Sequence, residues 1–224
     1  MNAGTAGVLA DLHMHSAHSW DCTTPIDELL DSALAAGLGA LAVTDHNTIA
    51  GGVEARARAI ERGLPLHVVV GSEIKTAEDG EVIGLFLHEE IPRGLAFAET
   101  LDRIKAQGAL VYMPHPFDRL HTIPDAATLL RHLEQIDILE VYNSRLLFDS
   151  FNDDALRFAS KYNLIQAAGS DAHVLPGIGT AINRIPAFDG PEEFLLAMRQ
   201  SEILRRPKSL LYLQGLKWVQ SVAR

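Results

Sequence analysis

The chain has a single cysteine, Cys22, in 224 residues. It can therefore form no internal disulfide, and the expected setting is the reducing cytoplasm. It has no uninterrupted apolar stretch long enough to cross a bilayer. No basic segment followed by an apolar core marks a secretory signal near Met1. No membrane partner is expected. Positive charge is scarce: 19 Lys and Arg stand against 29 Asp and Glu, a formal net charge of −10. That balance argues against a protein that tracks a long nucleic acid over many phosphates. It leaves a small anionic substrate open, because a formal count omits bound metal ions. Linker-like Pro, Ser and Gly tracts, low-complexity segments and fixed-period repeats are also missing. One domain over residues 1–224 is therefore expected. The oligomeric state is not written in such a composition.

What is present is an alternation of strand and helix patterns. Strands are expected at Val8 to His13, Leu38 to Thr44, Leu66 to Val70, Glu81 to Leu87, Ala109 to Met113, Ile138 to Tyr142 and Leu164 to Ala168. The run at 66–70 is almost wholly apolar, as in a parallel strand covered on both faces. Ala77-Glu78-Asp79-Gly80 reads as a turn that makes Glu81 to Leu87 a hairpin return. Helices are expected after Thr24, read as an N-cap with Pro25 at the first helical position, and at 50–62, 95–107, 124–134, 149–162, 191–199 and 209–222. Strand followed by helix, about seven times over, favours an α/β fold, and a distorted (β/α)7 barrel more than an open sheet.

Ten histidines are many for this length, and several fall at expected strand ends. Asp11-Leu12-His13-Met14-His15-Ser16 ends the first strand. Alternation along a strand puts His13 and His15 on one face. Asp21 lies in the loop that follows. His46 follows the second strand, Glu73 the third and His115 the fifth, while Asp171 and His173 follow a late one. Each has a plain reading alone: Asp45 and Asp171 as helix caps, Glu73 as a solvated loop residue, His115 as a turn residue between prolines. Their joint occurrence at the ends that converge on a barrel mouth points to one shared site. Nitrogen and carboxylate donors without thiolate suit zinc, manganese or iron(II). Eight donors exceed the needs of one ion and imply two or three. A carboxylate such as Glu73 can bridge two of them, holding a hydroxide and clamping the oxygens of a phosphate. Hydrolysis of a phosphoester is the expected reaction.

The same segments resemble the PHP family, the polymerase and histidinol phosphatase domain. The resemblance is carried by Asp11-Leu12-His13-Met14-His15-Ser16, Thr44-Asp45-His46, Gly71-Ser72-Glu73, Pro114-His115-Pro116 and Gly169-Ser170-Asp171-Ala172-His173, in that order, over roughly residues 8–185. It implies a distorted seven-stranded barrel with a two- or three-metal centre and phosphomonoesterase or phosphodiesterase chemistry. It implies that His13 and His15 share an ion with Glu73 and Asp171. Glu73 would bridge to a second ion on His115, and Asp21, His46 and His173 would hold a third. One departure concerns the segment after 138–142, where the family usually adds a histidine and this chain reads Tyr142-Asn143-Ser144-Arg145. Asn143 or a water would then complete the second ion, or that position is weaker. Asp171 or His173 is the candidate proton relay to the leaving group. Arg119, Arg145 and Lys75 are candidate phosphate contacts, Arg145 foremost. His88 is expected at the surface or behind the site, His67 buried and hydrogen-bonded, and His132 exposed on a helix; His18 and His121 have weaker claims. The expected substrate is a small phosphorylated metabolite or a nucleotide. A metal-dependent amidohydrolase and a non-catalytic metal-binding regulatory domain are the alternatives.

Overall fold

The computed structural model describes residues 7–222; residues 1–6 and 223–224 of the expected single domain lie outside the described residues. The strands are β1 (Val8–Met14), β2 (Ala40–Val43), β3 (His67–Lys75), β4 (Glu81–Leu85), β5 (Leu110–Met113), β6 (Ile138–Asn143), β7 (Ile165–Gly169), β8 (Ala181–Ile185) and β9 (Glu202–Arg205). They form one sheet in the order β7-β6-β5-β4-β3-β2-β1-β8-β9. The helices are α1 (Ile26–Ala35), α2 (Ala50–Glu61), α3 (Phe97–Ala106), α4 (Ala126–Arg131), α5 (Asp149–Tyr162), α6 (Gly190–Met198) and α7 (Leu210–Val222).

β1, β2 and β3 pair in parallel, as do β5, β6 and β7, with β4 antiparallel between the two groups. β2, β5 and β6 are buried along their whole length. One apolar layer fills the inside of the curled sheet around Leu12, Leu85, Tyr112 and Phe194. Others join its outer face to the helices, among them Leu29, Leu30, Leu41 and Val43 against α1 and α2. Burial on both faces explains why these strands read as apolar runs with little alternation.

The sheet curls into a nearly closed barrel because β1 meets two partners along one edge. Val8 to Ala10 pair antiparallel with β8. Beyond them, Asp171 N–H donates to the His13 carbonyl at 2.8 Å and His15 N–H to the Ala172 carbonyl at 2.9 Å. Asn183 of β8 fills the gap between β1 and β7. Its amide oxygen accepts from Ala168 N–H at 2.9 Å, and its Nδ2 donates to the carbonyls of Ala168 at 2.7 Å and Ala10 at 3.3 Å. A buried side chain thus satisfies backbone groups that a further parallel strand would otherwise pair.

Several local expectations are corrected. β8 and β9 extend the sheet beyond the seven expected strands. Thr24 does not cap α1; Pro25 precedes the helix and no side-chain cap bond forms. α4 is shorter than 124–134 because Asp125 caps its start, accepting from Thr128 N–H at 2.7 Å, and the backbone leaves the helix at His132. β3 runs on to Lys75, so Glu73 lies within a strand and is set by its pairing with β4.

Candidate metal centre

The parallel strands all end at one mouth, and there the predicted side chains meet. His13 and His15 present their Nε2 atoms 3.3 Å apart. Glu73 Oε2 lies 3.5 Å from the first and 3.4 Å from the second, and Asp171 Oδ1 lies 3.8 and 3.4 Å away. His115 Nε2 stands 3.0 Å from Glu73 Oε1. His46 Nδ1 is 3.3 Å from Glu73 Oε2, and its Nε2 is 3.6 Å from Asp21 Oδ1. His173 Nε2 is 2.8 Å from Asp21 Oδ2. Donor atoms of His13, His15 and Glu73, of His13, His115 and Asp171, and of His15, His46 and His173 each lie within 4.8 Å of one another and could hold an ion.

The surroundings choose which imidazole nitrogen carries a proton. His13 Nδ1 faces Glu140 Oε1 at 3.0 Å and must donate to it. Ser19 Oγ donates to Asp45 Oδ1 at 3.0 Å, so it accepts from His15 Nδ1 at 3.1 Å and from His46 N–H at 2.9 Å. His173 Nδ1 donates to the Asp171 carbonyl at 2.9 Å. These partners set the tautomer each of His13, His15 and His173 adopts when neutral and turn all three Nε2 atoms inward. Carboxylate or carbonyl support behind a histidine is the usual device that orients a metal ligand. His173 Nε2 and Asp21 Oδ1 are buried with no hydrogen-bond partner among the described residues. Unpartnered electron-rich atoms packed this closely fit a cation, and the donor set as a whole suits zinc, manganese or iron(II).

Electrostatics agree. Burial drives the His15 value down to about 3, so it is a neutral imidazole. Burial opposes charge on His13 and His115 as well, yet Glu140 and Glu73 outweigh it. His13 is raised well above its ordinary value and His115 to about 9. Burial likewise opposes charge on Asp171, but the Arg145 guanidinium at 3.0 Å and His13 hold it well below the usual range. Asp171 is therefore ionised at neutral pH, which suits a ligand and not a proton donor. Neutral imidazoles cannot offset the carboxylates gathered here, and protons on His13 and His115 take the place that divalent ions would fill.

Close backbone approaches hold this geometry. A Cβ on Gly169 would sit 2.2 Å from Glu140 Oε1 and 2.5 Å from His13 Cβ, and one on Gly51 would sit 1.9 Å from Asp45 Oδ2. His115 and Asp171 both take left-handed backbone angles, φ 28° and 52°. Strain at non-glycine positions of this kind persists where surrounding bonds enforce it. Here Glu140 Oε2 accepts from His115 N–H at 2.7 Å, and the His13 carbonyl accepts from Asp171 N–H.

A family model for the PHP domain matches residues 11–206. The chain belongs to the PHP domain family. A protein named only as uncharacterized in Methanocaldococcus jannaschii is 35% identical, over 90% of this chain and 84% of its own length. The 5'-3' exoribonuclease Rnm of Escherichia coli is 32% identical over 46% of this chain, which spans 41% of that enzyme. In fold, this PHP domain is similar to a two-domain protein from Bacteroides vulgatus containing a predicted PHP-like metal-dependent phosphoesterase. The TM-score is 0.70 at 22% identity, over 88% of this chain and 64% of that one. PsfC from Pseudomonas syringae gives a TM-score of 0.69 at 20% identity, covering 96% and 98%. Family and fold thus set the chain among PHP domains, and its clustered histidines and carboxylates could hold metal ions.

The PHP domain does not bring every predicted residue to its mouth. Arg119 pairs with Asp154 of α5 and its side chain is 63% exposed, so it stands away from the centre. Lys75 is half-buried at the end of β3, its N–H donating to Asn47 Oδ1. His67 is exposed beside Phe188 and not buried as expected, because it is the first residue of β3, ahead of the strand's buried run. His132 is half-buried against Phe97, since α4 ends there and turns it inward. His88 is exposed, and His18 pairs with Glu54. Asn143 donates to Glu140 Oε2 at 2.9 Å and accepts from Arg145 N–H, so its amide is engaged in holding the site.

Three residues escaped the sequence reading. Glu140 braces His13, His115 and Tyr112. Glu81 opens β4, and because β4 is antiparallel its first residue faces the mouth, 3.6 Å from His46 Nδ1. Lys217 of α7 reaches Asp21 Oδ2 at 2.9 Å. A cavity of about 470 Å³ opens over the centre, lined by Trp20, His46, Glu73, Glu81, His115, Arg145 and Lys217 among others. A second lobe of about 330 Å³ adjoins it past Arg145 and His121 and is lined by Leu120, Leu146 and Leu147.

Proposed function

We propose that this PHP domain hydrolyses phosphate monoesters of small metabolites or nucleotides, with residues 1–224 acting as one catalytic unit. His13, His15, Glu73 and Asp171 would hold one divalent ion, and Glu73 with His115 a second. Asp21, His46 and His173 would offer a third position. The observation that carries this reading is the convergence of the Nε2 atoms of His13, His15 and His173 on the carboxylates of Glu73, Asp171 and Asp21. Bound zinc, manganese or iron(II) would supply a nucleophile from water near neutral pH and offset the charge that grows on the phosphoryl oxygens.

The residues of the chain prepare the rest. Glu140 and Ser19 keep His13 and His15 turned inward. Arg145 is pinned by Asp171 with part of its guanidinium facing the cavity, where it can take a phosphoryl oxygen. With Arg145 between the two lobes, a leaving group would lie against the leucine-lined side. His13, His15 and Glu73 are buried, which strengthens the charge interactions among them.

A nuclease reading is favoured by one observation, the similarity to Rnm over 46% of the chain. The net charge of −10 and a cavity of metabolite size favour the small substrate. Phosphate release after loading with manganese, zinc or iron(II) tests the choice. Nucleoside monophosphates, sugar phosphates and p-nitrophenyl phosphate are expected to turn over. Activity confined to 5'-phosphorylated oligoribonucleotides would replace the reading with the nuclease, and ammonia release from amides with the amidohydrolase. Silence across the whole panel in metal-replete protein would leave the non-catalytic alternative.

A further inference from the structure

α7 brings a cation of the chain's own to the third position. Lys217 Nζ lies 2.9 Å from Asp21 Oδ2, the oxygen that also stands 2.8 Å from His173 Nε2. Leu213 and Gln214, four and three residues earlier, line a pocket with Lys217, Asp171 and His173. One face of α7 is therefore turned to the centre. The helix lies beyond residue 206, where the family match ends, so its lysine comes from outside the matched PHP segment.

We propose that Lys217 stands in for the third metal ion, so that the protein with α7 docked holds two divalent ions tightly and a third only weakly. The inference rests on the reading of the mouth as a metal centre. An oxygen that already accepts from an ammonium has less electron density to give a metal. An ammonium held within a few ångströms of a divalent ion also repels it. The Lys217 side chain is 25% exposed, so solvent and salt screen that repulsion only in part. The departure at Asn143 concerns the second position; Lys217 is a separate determinant that acts on the third.

Counting ions tests this without any substrate. Full-length protein is titrated with MnCl2 alone while the paramagnetic resonance signal of free Mn2+ is followed. Wild type is expected to take up two ions tightly. Lys217→Met is expected to gain a third, bound roughly tenfold or more tighter than any third ion in wild type. Lys217→Arg, which keeps the charge, is expected to match wild type. Adding Asp21→Asn to Lys217→Met should remove the gained ion. Equal stoichiometry and affinity in wild type and Lys217→Met, at two ions or at three, would overturn the proposal and leave the metal centre standing. A third ion gained by Lys217→Arg as well would overturn it by showing that charge is not the cause. Absence of tight binding in every protein would end the metal-centre reading and this inference with it. Unchanged melting temperatures check that the helical substitutions leave the fold intact.

Discussion

Glu140 shows how a residue outside the ligand set controls it. It is 1% exposed and joins His13 Nδ1, Tyr112 and the His115 backbone in one cluster. Glu140→Gln keeps the shape but weakens the acceptor behind His13. Metal affinity is expected to fall 10- to 100-fold, the usual cost of losing such support, as read by competition with a chelator. Glu73→Ala should behave differently, because Glu73 is within 3.5 Å of four imidazoles. Metal content and turnover should disappear together while the circular dichroism spectrum is retained. Full activity in that variant would contradict a bridging role. Most of the candidate ligands were legible in the sequence because they are histidines and carboxylates set at or just past the end of an apolar run. Glu140 was not legible. It sits inside such a run, and its task is set by the register of β6 against β7 and by the approach of Gly169. Glu81 was hidden for a similar reason: only the antiparallel direction of β4 turns it toward His46.

At the scale of elements, the barrel depends on a join that is not itself a strand pair. β7 and β8 compete for one edge of β1, and Asn183 satisfies the backbone groups left between them. Asn183→Ala removes two donors and one acceptor at a fully buried position. Each unsatisfied buried group costs about 1–3 kcal/mol. The loss expected from urea unfolding is therefore about 3 kcal/mol or more, with metal uptake weakened because the same join aligns His13 with Asp171. A change below 1 kcal/mol would show that another contact closes the barrel. Most strand–helix units were legible from periodicity, since a run buried on both faces has little else it can be. β8 and β9 were not. β8 follows a loop rich in Gly and Pro, and β9 has only four half-buried or exposed residues, so neither has a pattern that separates it from a loop.

For the whole molecule, the arrangement couples stability to metal and pH. The fold draws Asp21, Glu73, Glu140 and Asp171 together in a protein already at −10. Without ions, protonated histidines supply the compensating charge. His115 moves from an ordinary value of 6.5 to about 9 on folding. A group with a raised folded value stabilises fully below its unfolded value and loses that contribution as pH rises through the folded one. The metal-free protein should thus lose stability between pH 6.5 and 9. Metal binding runs the other way, because each ion must displace protons from His13 and His115, so affinity climbs over the same interval. The melting temperatures of loaded and chelator-treated protein should therefore diverge as pH increases from 6.5 to 9 and converge toward pH 5. An ion present at a hundred times its dissociation constant contributes about 2.7 kcal/mol. For a chain of this length that corresponds to a rise of about 5–10 °C. A gap that narrows with rising pH, or no gap at pH 8, would mean that the carboxylates at the mouth are neutralised by the protein itself and that divalent ions are not part of its folded state.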